Sequence, residues 1–287
     1  MTGAARLVRR AAAAIACTVS VSSLLPATAM AQAPDTVTTQ RPLFTWRDAV
    51  LAGAFGVTAR LVHPLDEHYR DRLQDSSTQA NRKLQVLATF VRTTATPGSY
   101  IIGTTMYAVG RLAKNDKLAS LGLHGTEALV VGEGVAGVVK MVVGRQRPSV
   151  DPGNPNSYQF MRGLKGGDEY RSFPSGHTVS AFAAAAAVTA ETSRNAPNTR
   201  WIVGPILYTG AGLVGISRMY NNRHWASDII VGAGIGTFAG LKVVRFNDSH
   251  SGNKVDKFFL AGSVSPTPDG GHALHLSLLP ASLLGLR

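Results

Sequence analysis

The stretch LASLGLHGTEALVVGEGVAGVVKMVVGRQRP, Leu118 to Pro148, decides the fold. Through Val143 it is built from Ala, Val, Leu and Gly, with His124, Glu127, Glu133 and Lys140 placed singly, which predicts one long, closely packed helix. Pro148 closes it. Lys140 and Arg147, with Arg145 between them, stand seven residues apart, two helical turns, so both cations point the same way if the helix persists that far. Bases in a last turn also complement the helix dipole, and on this segment alone that reading stays open.

Similar patterning extends in both directions. Helices are expected at about 47–62, 64–74, 82–94 and 98–113 before this stretch, and at about 176–191, 201–216 and 225–244 after it. The 287 residues are 45% hydrophobic but only 7% aromatic, a composition that favours closely packed helices over a β-sandwich. The fold class is therefore all-α, a helical bundle. Between Arg145 and Pro174 the prolines Pro148, Pro152 and Pro155 and many glycines exclude a regular element. Near the carboxy terminus, 257–264 and 272–279 flank Ser-Pro-Thr-Pro-Asp-Gly-Gly at 265–271, the pattern of a small β-hairpin.

At the amino terminus, Arg6, Arg9 and Arg10 precede an apolar run to about Leu25, and Ala29-Met30-Ala31 offers a small-x-small cleavage site. Residues 1–31 thus read as a signal peptide, 32–46 as a linker, 47–248 as the helical domain and 249–287 as an extension carrying the hairpin. An uncleaved anchor helix is the competing reading of the first segment. The expected location is periplasmic or otherwise extracytoplasmic. The net charge of +12 drops to +9 without the three signal arginines. That balance suits anionic substrates or an anionic membrane surface. No basic run interleaved with aromatics points to nucleic acid.

The segments 201–216 and 229–244 are apolar enough to suggest membrane spans. At about 16 residues they fall short of the roughly 20 that a span needs, and the 118–143 helix contains His124, Glu127, Glu133 and Lys140. A soluble bundle is expected, with a polytopic inner-membrane protein as the alternative.

Two further motifs carry chemistry. In Pro174-Ser175-Gly176-His177, serine can cap a helix, glycine lets the backbone pass close to a ligand, and the free N–H groups of the helix start can face an anion with His177 beside it. In SRMYNNRHWASD, Ser217 to Asp228, His224 and Asp228 are four apart. On a helix they share a face, so the carboxylate can take one imidazole proton and leave the other nitrogen free as a nucleophile.

Together, Lys140-x6-Arg147-Pro148, Pro174-Ser175-Gly176-His177 and Ser217-Arg218-x5-His224-x3-Asp228 resemble the signature of the type 2 phosphatidic acid phosphatase superfamily, every fixed position matched in order. That superfamily includes bacterial non-specific acid phosphatases, lipid phosphate phosphatases and vanadium-dependent haloperoxidases. The resemblance spans 140–228, about a third of the chain. It implies an α-helical bundle with a metal-independent site that needs no cofactor and acts on phosphate monoesters or lipid phosphates and diphosphates. It implies His224 as the nucleophile forming a phosphohistidine, Asp228 as its orienting partner and His177 as the general acid. Lys140, Arg147, Arg218, Ser175 and the backbone of Gly176 would bind the phosphate oxygens. The competing functions are a vanadium haloperoxidase on the same cations and a non-catalytic anion-binding envelope protein.

His124 and Glu127, three apart, read as a buried polar network rather than a metal pair, because no third ligand follows at a convincing spacing. Tyr158, Phe160, Tyr170 and Phe173 either wall the substrate pocket or form the loop's own small core.

Overall fold

A computed structural model describes residues 42–250, positions 253, 255, 256 and 259, and the strands at 263–266 and 272–275. The expected signal peptide and the linker through residue 41 lie outside the described residues. Helix α1 (Trp46–Val62) passes through a 3-10 turn (His63–Leu65) into the polar α2 (Asp66–Gln74) and the single turn α3 (Ser76–Gln79). There follow α4 (Arg82–Thr93), α5 (Ser99–Leu112), α6 (Asp116–Val143), the one-turn α7 (Arg162–Lys165), α8 (Gly176–Asn195), α9 (Arg200–Tyr220) and α10 (Ala226–Ser249). The hairpin is present as β1 (Ser263–Pro266) antiparallel to β2 (His272–His275), with Ser263 opposite His275. Its strands are shorter than expected, since Phe259 is helical and the first strand starts only at Ser263.

Local chemistry sets the helix ends. The Asn115 side chain accepts the Leu118 N–H at 3.1 Å and caps α6. Gly144, at φ +56°, stops it, and a Cβ there would lie 2.4 Å from the Gln159 carbonyl oxygen. The helix therefore does not persist to Arg147. Lys140 stays on its last turn, and Arg147 enters from the following loop.

Helices α8 and α10 form the centre. Gly232, Gly236 and Gly240, spaced by four, bring the α10 backbone onto α8. A Cβ at these positions would lie 2.8 Å from Ser175 O, 2.3 Å from Val179 O and 2.5 Å from Ala183 O. Helix α6 packs against α5, α8 and α10, helix α9 against α8 and α4, and α1 against α10. Phe55, Phe182, Tyr208 and Ile230 fill the core between α1, α8, α9 and α10. At the far end of α10, Lys242 pairs with Asp48 at 2.5 Å and donates to the Leu43 carbonyl at 3.0 Å. Helix α1 thus starts at the end of the bundle opposite Ala226 and runs antiparallel to α10.

Helix α10 outruns its expected end at 244, because polar groups near its end find partners in neighbouring helices. Asn247 donates to Glu127 Oε2 at 2.6 Å and Asp248 pairs with Arg194 at 2.7 Å. Residues 197–220 and 226–249 are each long and apolar enough to cross a bilayer. The outer surface is apolar, with Leu61, Phe90, Leu112 and Ile206 all about two-thirds exposed or more, while Asp66, Arg145, Thr237 and Asp228 are fully buried. Water normally selects the reverse distribution.

Gly236→Val is expected to push α8 and α10 apart and to cost roughly 1–3 kcal/mol or more. The readout is a lower midpoint of thermal unfolding in detergent. Gly137→Ala, where a Cβ meets nothing within 4 Å, is expected to leave that midpoint unchanged or slightly raised.

Candidate active site

The three motifs meet at the end of the bundle where α6 finishes and α8 and α10 begin. Between them runs the 144–175 loop, pinned by backbone bonds such as Ser172 N–H to Arg145 O (3.0 Å) and Arg147 N–H to Glu169 O (2.8 Å). Lys140 reaches from the last turn of α6 to the carbonyls of Arg171 (2.9 Å) and Pro174, holding the approach to α8.

His224 is not on a helix. It precedes Trp225, the N-cap residue of α10, and it is buried. Its Nδ1 lies 2.6 Å from the Ser172 carbonyl oxygen, whereas Asp228 Oδ2 is 3.7 Å away, beyond hydrogen-bonding range. The expected direct His224–Asp228 bond is therefore replaced by a bond from Nδ1–H to the Ser172 carbonyl, because His224 sits before the helix rather than one turn along it. With the proton on Nδ1, Nε2 keeps its lone pair and lies 3.4 Å from Arg147 Nη1. Burial, with the charges of Lys140 and Arg147 added, holds this imidazole well below the ordinary histidine value, and the opposing pull of Asp228 is outweighed. His224 is neutral at physiological pH.

Asp228 instead organises the segments on either side of His224. Its Oδ2 accepts from Ser172 Oγ at 2.5 Å and from Trp225 N–H at 3.0 Å, and its Oδ1 takes Arg145 Nη1. Its backbone carbonyl accepts Ser175 N–H at 3.2 Å. Ser175 is at the N-cap of α8, but its side chain caps no backbone N–H; its oxygen accepts from Thr178 Oγ1 at 2.9 Å. Gly176 has open space on its Cβ side, the nearest atom being Lys140 Cε at 3.8 Å.

Arg147 is buried and donates to the Arg223 carbonyl (2.8 Å), the Asp168 carbonyl (2.8 Å) and Asp168 Oδ1 (2.7 Å). The Asp168 carboxylate also pairs with Arg223. Partial burial works to raise the Asp168 carboxyl, but the bond from Arg147 and the charges of Arg147 and Arg223 hold it below the usual range. Arg218, in the last turn of α9, is buried, and its Nε has no hydrogen-bond partner among the described residues. His177 stands in the field of Arg218, Arg92, Lys140 and Arg147. All the residues singled out from the motifs thus converge on one end of the bundle.

Sequence reasoning missed Arg145, Asp66 and Ser172. Arg145 is fully buried and bonds Ser227 Oγ (2.8 Å), Asp66 Oδ2 (2.7 Å), the Pro155 carbonyl (2.7 Å) and Asp228, with its guanidinium 4.8 Å from the Tyr158 ring centre. Nothing in the spacing marked Asp66, which lies far upstream. Tyr158 and the half-buried Phe173, with ring centres 6.3 Å apart, cover this cluster from the solvent side, while Phe160 faces outward. His124 sits in a separate polar cluster at the other end of the bundle, with Glu191 at 3.3 Å and Asp256 at 3.4 Å.

Arg145→Met is expected to leave two buried carboxylates without their shared cation, costing roughly 3–5 kcal/mol. Thermal unfolding in detergent would show it. Arg145→Lys is expected to restore little, since an ammonium cannot reproduce the guanidinium fork between two acids.

Known proteins resemble parts of this chain. The PAP2 superfamily model matches residues 123–250. The Lipid A 1-phosphatase of Porphyromonas gingivalis is 43% identical over 89 residues, 30% of this chain, and the match spans about a fifth (19%) of that relative's length. The crystal structure of a transmembrane PAP2 type phosphatidylglycerolphosphate phosphatase from Bacillus subtilis aligns with a TM-score of 0.52 at 21% identity. It covers 73% of this chain and 99% of that one, which shows a shared fold. The match to the PAP2 superfamily model, over residues 123–250, takes in all three motifs.

Proposed function

We propose that the chain is an integral membrane phosphatase that hydrolyses a lipid phosphate through a phosphohistidine, with residues 47–248 as its catalytic domain. The observation that carries this reading is the neutral His224 facing Arg147, with Lys140 nearby and the buried Arg218 guanidinium lacking a partner for its Nε. A buried cation with an unmet donor is costly unless an anion is meant to meet it. The 43% identical relative is named a Lipid A 1-phosphatase, which supports a lipid phosphate as substrate.

In this mechanism Arg147, Arg218 and Lys140 bind the phosphate oxygens, with the Ser175 hydroxyl and the Gly176 N–H. The open side of Gly176 lets the anion approach the α8 start. His224 Nε2 attacks phosphorus as the bond to the leaving oxygen breaks, and His177 gives that oxygen a proton. Water then attacks the phosphohistidine, His177 takes a proton from it, and inorganic phosphate leaves. Asp228 acts at one remove, fixing Ser172 and Trp225 so that the Ser172 carbonyl keeps the proton on His224 Nδ1. Guanidinium groups supply the charge stabilisation that phosphoryl transfer requires without a metal.

The apolar outer surface favours the membrane alternative over the soluble bundle. Polar side chains along α6 support this, because they turn inward: His124 is buried, Glu133 takes the Ser180 hydroxyl and Lys140 bonds backbone carbonyls. The fold then ties the location of the site to the reading of residues 1–31. Residues 43–48 lie at the opposite end of the bundle from the site. With the bundle across a bilayer, an extracytoplasmic site requires the start of α1 to be cytoplasmic, and a translocated, cleaved signal would turn the site inward.

Purified protein in mixed micelles is expected to release phosphate from phosphatidic acid, to be blocked by orthovanadate and to be insensitive to EDTA. His224→Ala is expected to abolish turnover while the protein stays folded; retention of more than about a hundredth of the wild-type rate removes the nucleophile assignment. For the bilayer, cysteines introduced at Asn154 and Lys114, with Cys17 replaced by serine, report the two ends of the bundle. An impermeant maleimide applied to intact cells or spheroplasts is expected to label only one of them, and labelling of both returns the reading to a soluble extracytoplasmic bundle.

A further inference from the structure

The most exposed large apolar side chain among the described residues is Phe160, at 78%, with the half-exposed Leu164 four positions on. Single exposed apolar side chains are common on any protein. This pair differs in being held out by a fixed backbone. Met161 N–H donates to the Val142 carbonyl at 2.7 Å, and the Arg162 guanidinium donates to the carbonyls of Gly144 (2.8 Å) and Ser157 (2.7 Å). Gly163 is buried, and a Cβ there would lie 2.1 Å from the Lys140 carbonyl oxygen, so α7 rests directly on the last turn of α6. Arg171 Nε donates to the Gly163 carbonyl at 2.8 Å, and the Arg171 carbonyl in turn receives Lys140 Nζ at 2.9 Å. The segment is thus part of the rim of the candidate site.

The helix beneath says what meets this pair. Val131, Val135 and Val138 of α6 are each about half exposed and recur at i, i+4 and i+7, one face of the helix. The next position of that stripe is Val142, the residue whose carbonyl holds Met161. Phe160 and Leu164 therefore continue the apolar outer face of α6 past its end and onto the rim of the site. Lys165, beside Leu164, is exposed and has no carboxylate partner among the described residues. An apolar pair followed by an unpaired base is the pattern of a segment lying at a lipid–water boundary, where the base meets anionic headgroups.

Resting on the membrane phosphatase reading above, we propose that Phe160 and Leu164 form a docking surface for the lipid interface itself. Their side chains enter the boundary between headgroups and acyl chains, and Lys165 lies against anionic headgroups. The docked α7 holds the lipid surface against the rim of the site, so that a lipid phosphate passes to the site without leaving that boundary. The surface serves the presentation of the substrate and takes no part in the chemistry. A phosphate ester embedded in lipid therefore depends on this pair, and the same ester free in water does not.

The first measurement places a bimane label on Phe160→Cys or, as control, on Asn154→Cys from the same loop, both with Cys17→Ser, in protein reconstituted into lipid nanodiscs. Bimane at 160 is expected to be quenched by lipids carrying a doxyl group near the headgroup and to be shielded from aqueous iodide, with the opposite result at 154. Equal iodide quenching at both positions overturns the proposal. So does shielding of position 160 from both quenchers, which marks a protein partner such as a second copy of the chain. The second measurement compares wild type with the double variant Phe160→Ser/Leu164→Ser on long-chain phosphatidic acid in the bilayer and on monomeric dibutanoyl phosphatidic acid. The variant is expected to lose about tenfold in kcat/KM on the long-chain lipid and to stay within about twofold on the short one. Equal losses on both, or no loss on the long-chain lipid, overturn the proposal. Where wild type leaves either ester untouched, the bimane result alone decides on the docking surface, and if it hydrolyses neither, the phosphatase reading itself fails.

Discussion

The arrangement depends on one buried cation. Arg145 is wholly enclosed and bonds Asp66 from the start of α2, Ser227 and Asp228 from α10 and the Pro155 carbonyl from the long loop. A guanidinium can serve all of these at once because its donors form a planar fork, and two carboxylates can share the interior only because that fork lies between them. Asp66 extends the clamp by accepting the Ser227 N–H at 2.8 Å. The start of α2, the start of α10 and the loop are thereby locked together directly beneath His224.

From this clamp follows the state of the nucleophile candidate. Asp228, fixed by Arg145, holds Ser172 and Trp225, and Ser172 offers its carbonyl to His224 Nδ1. The carboxylate thus controls the imidazole through the position of a backbone carbonyl. Burial and two neighbouring cations keep the ring uncharged, so its second nitrogen is available to an electrophile. Polar order inside and apolar side chains outside are two sides of one design. A bundle whose interior is held by ion pairs and glycine-mediated backbone contacts needs no aqueous exterior to drive it together.

Much of this was legible beforehand. The long helix ending near Gly144, the irregular loop and the helices on either side follow from periodicity and from proline and glycine placement, and the three motifs named the residues that converge. The errors have physical causes. Helix α10 is longer than its apolar run because Asn247 and Asp248 find partners on α6 and α8, which a single segment cannot reveal. The expected Lys140–Arg147 helical face failed because Gly144 adopts a left-handed conformation beneath the loop.

The sequence by itself determined the helical class and the motif residues that converge at one end of the bundle, because these rest on local periodicity, on caps and breakers, and on the chemistry of side chains at fixed spacing. Only the tertiary structure decided how those residues are wired. Asp66 and Arg145 are 79 positions apart, and Ser172 and His224 are 52 apart. Contacts at such separations are set by how helices pack, through glycine contacts between α8 and α10 and through burial, and no local pattern encodes them. The same packing decided that the apolar faces turn outward, since a helix's composition tells which residues are apolar but not which of its faces meets its neighbours.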